Sequence, residues 1–170
     1  MIKELSIIIP TLEYKQQAME YRQEHLNNGE EILSGSSGLH RYEVYEEWLN
    51  YIENLSNDKE SDWLPATTYF GICDNNIVGT ITIKHRINDN MREHISYGVR
   101  PSERRKGYAT KMLVLALNEC KKLELKRVFI TCDKNDIGST KTIINNGGIL
   151  ESEFVEEDGE IGQWYWIDVK

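Results

Sequence analysis

The spacing of apolar and polar positions changes period along this chain. From Tyr14 to Asn27, and again from Arg41 to Leu55, aromatic and aliphatic residues recur among charges as they do on one helix face, which predicts two amphipathic helices. The stretch between them, "NNGEEILSGSSG", carries glycine, serine and asparagine and reads as a loop. From Thr67 the repeat becomes two. Thr67–Cys73 and Ile77–Ile87 read as strands joined by Asp74, Asn75 and Asn76, and Arg92–Val99 follows as a third.

Alternation sets the pairing of the last two. Ile81, Ile83, His85 and Ile87 share one strand face, and Met91, Glu93, Ile95, Tyr97 and Val99 share one face of the next. Matching these faces pairs Ile87 with Met91 across a loop of Asn88, Asp89 and Asn90, and sets His85 opposite Glu93. His94 falls on the other face with Ser96 and Gly98.

The helical period returns between Arg105 and Leu123, where Tyr108, Met112, Leu115, Ala116, Cys120 and Leu123 recur; "KRVFITC" then reads as a buried strand. Strand, turn, helix and strand make a βαβ unit. A short helix over Ser139–Asn146, stopped by Gly147 and Gly148, precedes closing strands at Ile149–Val155 and Gln163–Val169. Trp164, Tyr165 and Trp166 in "WYWIDV" read as packing residues of the last strand, with a wall of an acceptor pocket as the other reading.

Length and charge narrow the choice. A chain of 170 residues suits one domain: an N-terminal strand and helices to residue 66, a core over 67–150 and a closing hairpin over 151–170. With 20 lysines and arginines against 28 acidic residues, the net charge of −8 speaks against nucleic acid or anionic membrane as a partner. The opening residues have neither signal-peptide nor membrane-span length, so a cytoplasmic protein is expected. Cys73, Cys120 and Cys132 are odd in number and lack metal-ligand spacing, which reads as free thiols and no metal site. Cys132, at a strand end, could serve as a nucleophile but reads better as a core thiol.

Against the acidic background stands "VRPSERRKGYAT", with Arg104, Arg105 and Lys106 next to Gly107. A strand-to-helix turn offers backbone N–H groups without intrahelical partners and the positive end of the helix dipole, which together attract an anion. Gly107 permits close backbone approach, and the missing G-K-[ST] ending argues against a nucleoside triphosphate. Taken alone, the pattern also fits a plain helix start with a solvated basic cluster.

The longer stretch "ISYGVRPSERRKGYATKMLVLAL" resembles the pyrophosphate-binding segment of the GCN5-related N-acetyltransferase (GNAT) family. "VFITCDKNDIGSTKTIINNGG" is similar to that family's next strand, its asparagine–serine segment and its short helix. A group of bacterial acetyltransferases with an "RPSERxKGYA" signature is similar too. The resemblance, over residues 78–150, implies an α/β fold whose mixed, mostly antiparallel sheet splays at a βαβ coenzyme A-binding core, with helices on both faces. It implies acetyl-CoA as cosubstrate and no metal. Arg104, Arg105, Lys106, Gly107, Tyr108, Ala109 and Thr110 would hold the pyrophosphate, mainly through main-chain amides, and Val99 would pair its backbone with the pantetheine arm. Ser139 and either Asn135 or Asp136 would meet the cofactor. Ile143 stands where many members carry a tyrosine that protonates the leaving thiolate.

Amine acetylation needs a neutral amine, whereas one of pKa ~10.4 is neutral in roughly one molecule per few thousand at pH 7. Glu93, with His85 across from it, is the candidate base, and His94 its rival. The Val99 N–H is the candidate oxyanion donor. The alternative is that both histidines are structural and Glu93 a solvated charge. The expected activity is direct acetyl transfer, in a ternary complex, to the amine of a small molecule or peptide, with a homodimer possible. A noncatalytic acyl-CoA-binding module is the competing class.

Overall fold

The computed structural model describes residues 4–60 and 62–170. A four-stranded antiparallel sheet runs in the order β1 (Leu5–Ile8), β2 (Ala66–Cys73), β3 (Asn76–Lys84), β4 (Ile95–Val99). A three-stranded antiparallel sheet follows in the order β5 (Arg127–Asp133), β7 (Ile161–Asp168), β6 (Ile149–Val155). Helices α1 (Lys15–Asn27) and α2 (Tyr45–Ser56) pack on one side; α3 (Tyr108–Lys122) and α4 (Ile137–Asn145) pack on the other. This is the mixed α/β architecture, helices on both faces, expected from the sequence.

Each helix is held by the face its spacing supplies. In α2, Tyr45, Trp48 and Ile52 are buried in one cluster with Phe70 and Ile72 of β2, and Leu55 is buried at the end of the same face. In α3, Met112, Leu113, Ala116 and Cys120 bury into a core with Ile81, Ile83, Ile95, Val128 and Ile130, which ties the two sheets together. Tyr165 is buried in that core, while Trp164 and Trp166 lie under the guanidinium groups of Arg92 and Arg127. Cys73, Cys120 and Cys132 are free thiols. No described helix is long and apolar enough to cross a membrane.

The β3–β4 offset follows the matching of apolar faces, with Ile83 opposite Ile95 and Ile81 opposite Tyr97. The hairpin tip does not follow it. The ladder ends at Lys84, whose N–H reaches the His94 carbonyl at 2.7 Å. Beyond it the His85 N–H turns to the Pro65 carbonyl, and the His94 N–H to the Phe129 carbonyl, both at 2.8 Å. At the tip Asn88, rather than Ile87, pairs with Met91, because the Asn88 side chain accepts from the N–H groups of Asn90 and Met91 and closes a tighter turn. The expected extension of both strands to that tip is therefore corrected.

Candidate active site

The site begins with a gap between strands. The Arg100 N–H donates to the Val78 carbonyl at 2.8 Å, and Lys84 pairs with His94 as above. Alternate residues of an antiparallel pair exchange bonds, so Ile95, Tyr97 and Val99 turn their N–H and C=O groups away from β3. On that side lies β5, which pairs with β7; no ladder joins it to β4. The two strands meet at one end only. There the Phe129 N–H donates to His94 Nδ1 at 3.0 Å, and the Glu93 carboxylate accepts from the Thr131 N–H at 3.2 Å and from the Thr131 hydroxyl. Glu93 and His94 thus satisfy β5 amides that a continuous sheet would have paired.

Three hollows converge on this gap. A groove of about 940 Å³ runs from the basic turn past Val99 and Tyr97 to Ser139 and Thr142 of α4. A cleft of about 280 Å³ lies between Glu93, Tyr97 and Cys132. A third, of about 350 Å³, opens on the α1–α2 side over Ser96 and Lys84. Ser34 borders all three. It is held there by close backbone contact: a Cβ on Gly98 would lie 2.6 Å from the Ser34 carbonyl oxygen, and one on Gly35 would lie 2.6 Å from the Tyr97 Cα. The loop read from "NNGEEILSGSSG" is therefore laid flat on β4, and glycine on each side permits it.

The basic turn is ordered by its own acids. Arg104 donates from both terminal nitrogens to Glu30, at 3.1 and 2.6 Å, and from Nε to the Val99 carbonyl at 3.1 Å. Lys106 pairs with Glu103 at 2.9 Å. Arg100 and Ser102 are held by Glu24 of α1. Arg105 and Gly107 adopt left-handed backbone, φ 63° and 81°, so α3 starts at Tyr108 and not at Arg105 as its periodicity suggested. No side chain caps α3, and open space lies where a Gly107 Cβ would stand. Gly107, Tyr108, Ala109 and Thr110 line the groove at that helix start.

At the far wall, Asp136 caps α4, accepting from the Ser139 N–H at 3.0 Å and the Ser139 hydroxyl at 2.8 Å, and it borders the groove. The Asn135 side chain instead donates to Glu160 at 3.0 Å. Ile143 is fully buried in the core. A phenol does reach this region, from β4: the Tyr97 hydroxyl points to the Ser139 carbonyl at 3.4 Å, and burial pushes its pKa up to about 12.

His85 and Glu93 are not brought together. His85 Nε2 is 2.7 Å from the Thr67 hydroxyl, and burial lowers its pKa. His94 is buried and held neutral, its pKa pushed down to about 4 by burial and then by Lys84. Burial raises the Glu93 pKa against the pull of Thr131 and Lys84. Burial likewise raises the pKa of Cys132, which contacts the Thr140 hydroxyl at 3.8 Å, and so disfavours a nucleophilic thiolate. Sequence reasoning missed Glu30, Ser34 and Tyr97. The apolar alternation of β4 placed Tyr97 on the core face, but nothing local signalled that Glu30 or Ser34 would reach the turn and the gap.

The profile of the acetyltransferase (GNAT) family matches residues 34–143, well over half of the chain. No curated protein matches significantly by sequence. Among solved structures, Mycobacterium smegmatis RimJ in complex with a CoA-disulfide is similar at a TM-score of 0.75 and 16% identity, covering 96% of this chain and 81% of that one. The ribosomal L7/L12 α-N-protein acetyltransferase RimL, in complex with coenzyme A, aligns at a TM-score of 0.72 and 14% identity over 97% and 94% of the two chains. The microcin C7 self-immunity acetyltransferase MccE, in complex with acetyl-CoA and AMP, aligns at a TM-score of 0.70 and 18% identity over 98% and 93%.

Proposed function

Because this chain belongs to the GNAT family of acetyltransferases, we propose that it acts as one N-acetyltransferase domain, moving an acetyl group from acetyl-CoA directly to an amine in a ternary complex. The observation that carries this reading is the outward-turned backbone of Tyr97 and Val99 in the β4–β5 gap, reached by a groove that starts at an uncapped helix. The residues present suit coenzyme A. Left-handed Gly107 leaves its Cα side open, the α3 N-terminus is free of a side-chain cap, and Arg104 and Lys106 are committed to Glu30 and Glu103. The pyrophosphate is therefore held mainly by amides around Gly107–Thr110, with Arg105 adding charge. Ser139 and Asp136 border the arm of the cofactor, and Val99 pairs with it.

Acetyl-CoA supplies a thioester whose carbonyl carbon bonds to the acceptor nitrogen as the C–S bond breaks, and the sulfur leaves with the electron pair as the coenzyme A thiolate, which takes a proton from the Tyr97 hydroxyl or from water. The Val99 N–H stabilises the negative charge that gathers on the carbonyl oxygen. Glu93, bordering the cleft and held by Thr131, takes the ammonium proton directly or through water. His94 keeps the strands in place, and His85 lies outside the three hollows. The acceptor is a small molecule or a peptide amine, the latter being what the name of RimL records for that protein.

The test is thiol release from acetyl-CoA with added amines, combined with intact-mass measurement of the protein. Amine-dependent release with no acetylated protein species is expected. Acetyl transfer through a protein-bound acetyl group would overturn direct transfer, and tight coenzyme A binding without amine-dependent release would overturn the enzymatic reading.

A further inference from the structure

The hollow on the α1–α2 side is lined by positive charge in a chain that is acidic overall. Among the residues lining it there is no aspartate or glutamate, in a protein carrying 28 of them. It holds two cations instead, Lys84 at the end of β3 and Arg41 before α2. Neither has an ion-pair partner among the described residues. Most other cations near the site are neutralised: Arg100 by Glu24, Arg104 by Glu30, Lys106 by Glu103 and Arg86 by Asp58. His40 adds a third donor. Its Nδ1 accepts the Leu33 N–H at 3.2 Å, which leaves the proton of the neutral ring on Nε2.

The rest of the lining is aromatic, aliphatic and small. Tyr51 and Trp63, the latter 48% exposed, contribute ring surface, and Ser96 joins the hollow to the β4–β5 cleft. The acidic residues Asp58, Glu60 and Asp62 line a separate hollow, with Trp63 and Leu64 shared between the two. A volume of about 350 Å³ is near the small end of ligand sites, which run from about 300 to 1,000 Å³, and suits a single amino acid better than a peptide or nucleotide.

We infer that the acceptor is a free amino acid with an apolar or aromatic side chain, its carboxylate held by Lys84 and Arg41, its side chain against Trp63 and Tyr51, and its amine directed past Ser96 to the cleft. A polyamine or a lysine-rich peptide would meet Lys84 and Arg41 as like charges, with Glu93 and Glu60 acting on the hollow only from outside its lining. A carboxylate gives both cations a contact ion-pair partner, through charge-assisted hydrogen bonds, that no described residue supplies. The overall negative charge of the protein would by itself suggest a cationic acceptor; the local lining reverses that expectation. The inference rests on the acetyltransferase reading above.

The experiment compares kcat/KM at saturating acetyl-CoA for L-phenylalanine, L-tryptophan, L-methionine and L-leucine, each against its decarboxylated amine, with spermidine as the polycation. At least one amino acid is expected to exceed its decarboxylated amine and spermidine by about tenfold or more, the value of one charge-assisted bond. Lys84→Met should shrink that ratio about tenfold, through KM of the amino acid, and Arg41→Gln should shrink it less. Preference for the decarboxylated amines or for spermidine, a ratio that neither substitution moves, or turnover with none of these amines would each overturn the inference. Calorimetry of coenzyme A binding on the same protein, with transfer to an N-terminal peptide panel, then shows whether the failure extends to acetyl transfer itself.

Discussion

Glu30 grips the guanidinium of Arg104 at two points, so the loop after α1 is fastened to the turn before α3 across 74 residues of sequence. Burial works against this carboxylate, yet Arg104, Asn28 and His25 hold its pKa down to about 2. A carboxyl depressed in the folded state stabilises at pH above its unfolded value and loses that stabilisation as pH falls through the folded one. The acid limb between about pH 4.5 and 2 should therefore carry about 1–2 kcal/mol from this pair, discounted for partial exposure. Glu30→Gln should remove that share in chemical denaturation at pH 7 and leave a shallower acid limb.

At Gly107 the left-handed backbone makes any Cβ costly by roughly 1–2 kcal/mol, although space for it exists. Gly107→Ala should weaken coenzyme A binding slightly. Gly107→Glu, which adds a repelling carboxylate at the anion site, should raise Kd by about tenfold or more. Lys106→Ala should change Kd by less than about threefold, because its ammonium is already paired with Glu103 at the surface. Calorimetry with coenzyme A separates these three outcomes.

Glu93→Gln preserves an acceptor for Thr131 and removes the base, so kcat should fall by about 10² or more while coenzyme A affinity holds. Because burial raises the Glu93 pKa, the native rate should climb with pH through a value above the usual carboxylate range, and the variant should lack that limb. His94→Ala strands the Phe129 N–H and should cost about 1–3 kcal/mol of stability. His85→Ala should affect neither rate nor binding by more than about twofold, since the residue faces Thr67. Thermal melts and pH–rate profiles of the three variants test the division of roles.

A tyrosine placed at Ile143 should not supply a catalytic acid. Ile143 is enclosed in the core, and Gly148 already touches it closely enough that a Cβ there would lie 2.3 Å from Ile143 Cγ2. Ile143→Tyr should destabilise by about 1–3 kcal/mol without raising kcat. Tyr97→Phe, in contrast, should lower kcat with little change in melting temperature, if measured at saturating substrates, because its hydroxyl alone reaches the groove from β4.

The strand offset was legible because apolar alternation acts along every residue of β3 and β4: Ile83 faces Ile95 for the reason the sequence suggests. The hairpin tip was not, since one side chain, Asn88, supplies the bonds that decide it. Helix α3 announced its body through Met112, Ala116 and Cys120, but its start depends on Arg105 in a left-handed conformation that non-glycine residues rarely adopt. In the candidate site, the place of Gly107 before α3 was readable from the turn, and that of Val99 from the strand leading into it. The parting of Glu93 from His85 was not, because it is imposed by Pro65 and Phe129, which approach only in the folded chain.

Ser34 borders the groove, the cleft and the hollow on the α1–α2 side alike, so in the proposed arrangement the two substrates would meet beside a single residue of the loop. A single molecule joining the sulfur of coenzyme A to the nitrogen of an acceptor through a short acyl bridge would pass this point without displacing the chain. Such a bisubstrate compound gives up the freedom of one body instead of two on binding, and its affinity would approach the product of the separate affinities rather than either alone. Because the Ser34 backbone lies close against Gly98, a larger side chain at Ser34 should hinder that joined ligand more than either half by itself.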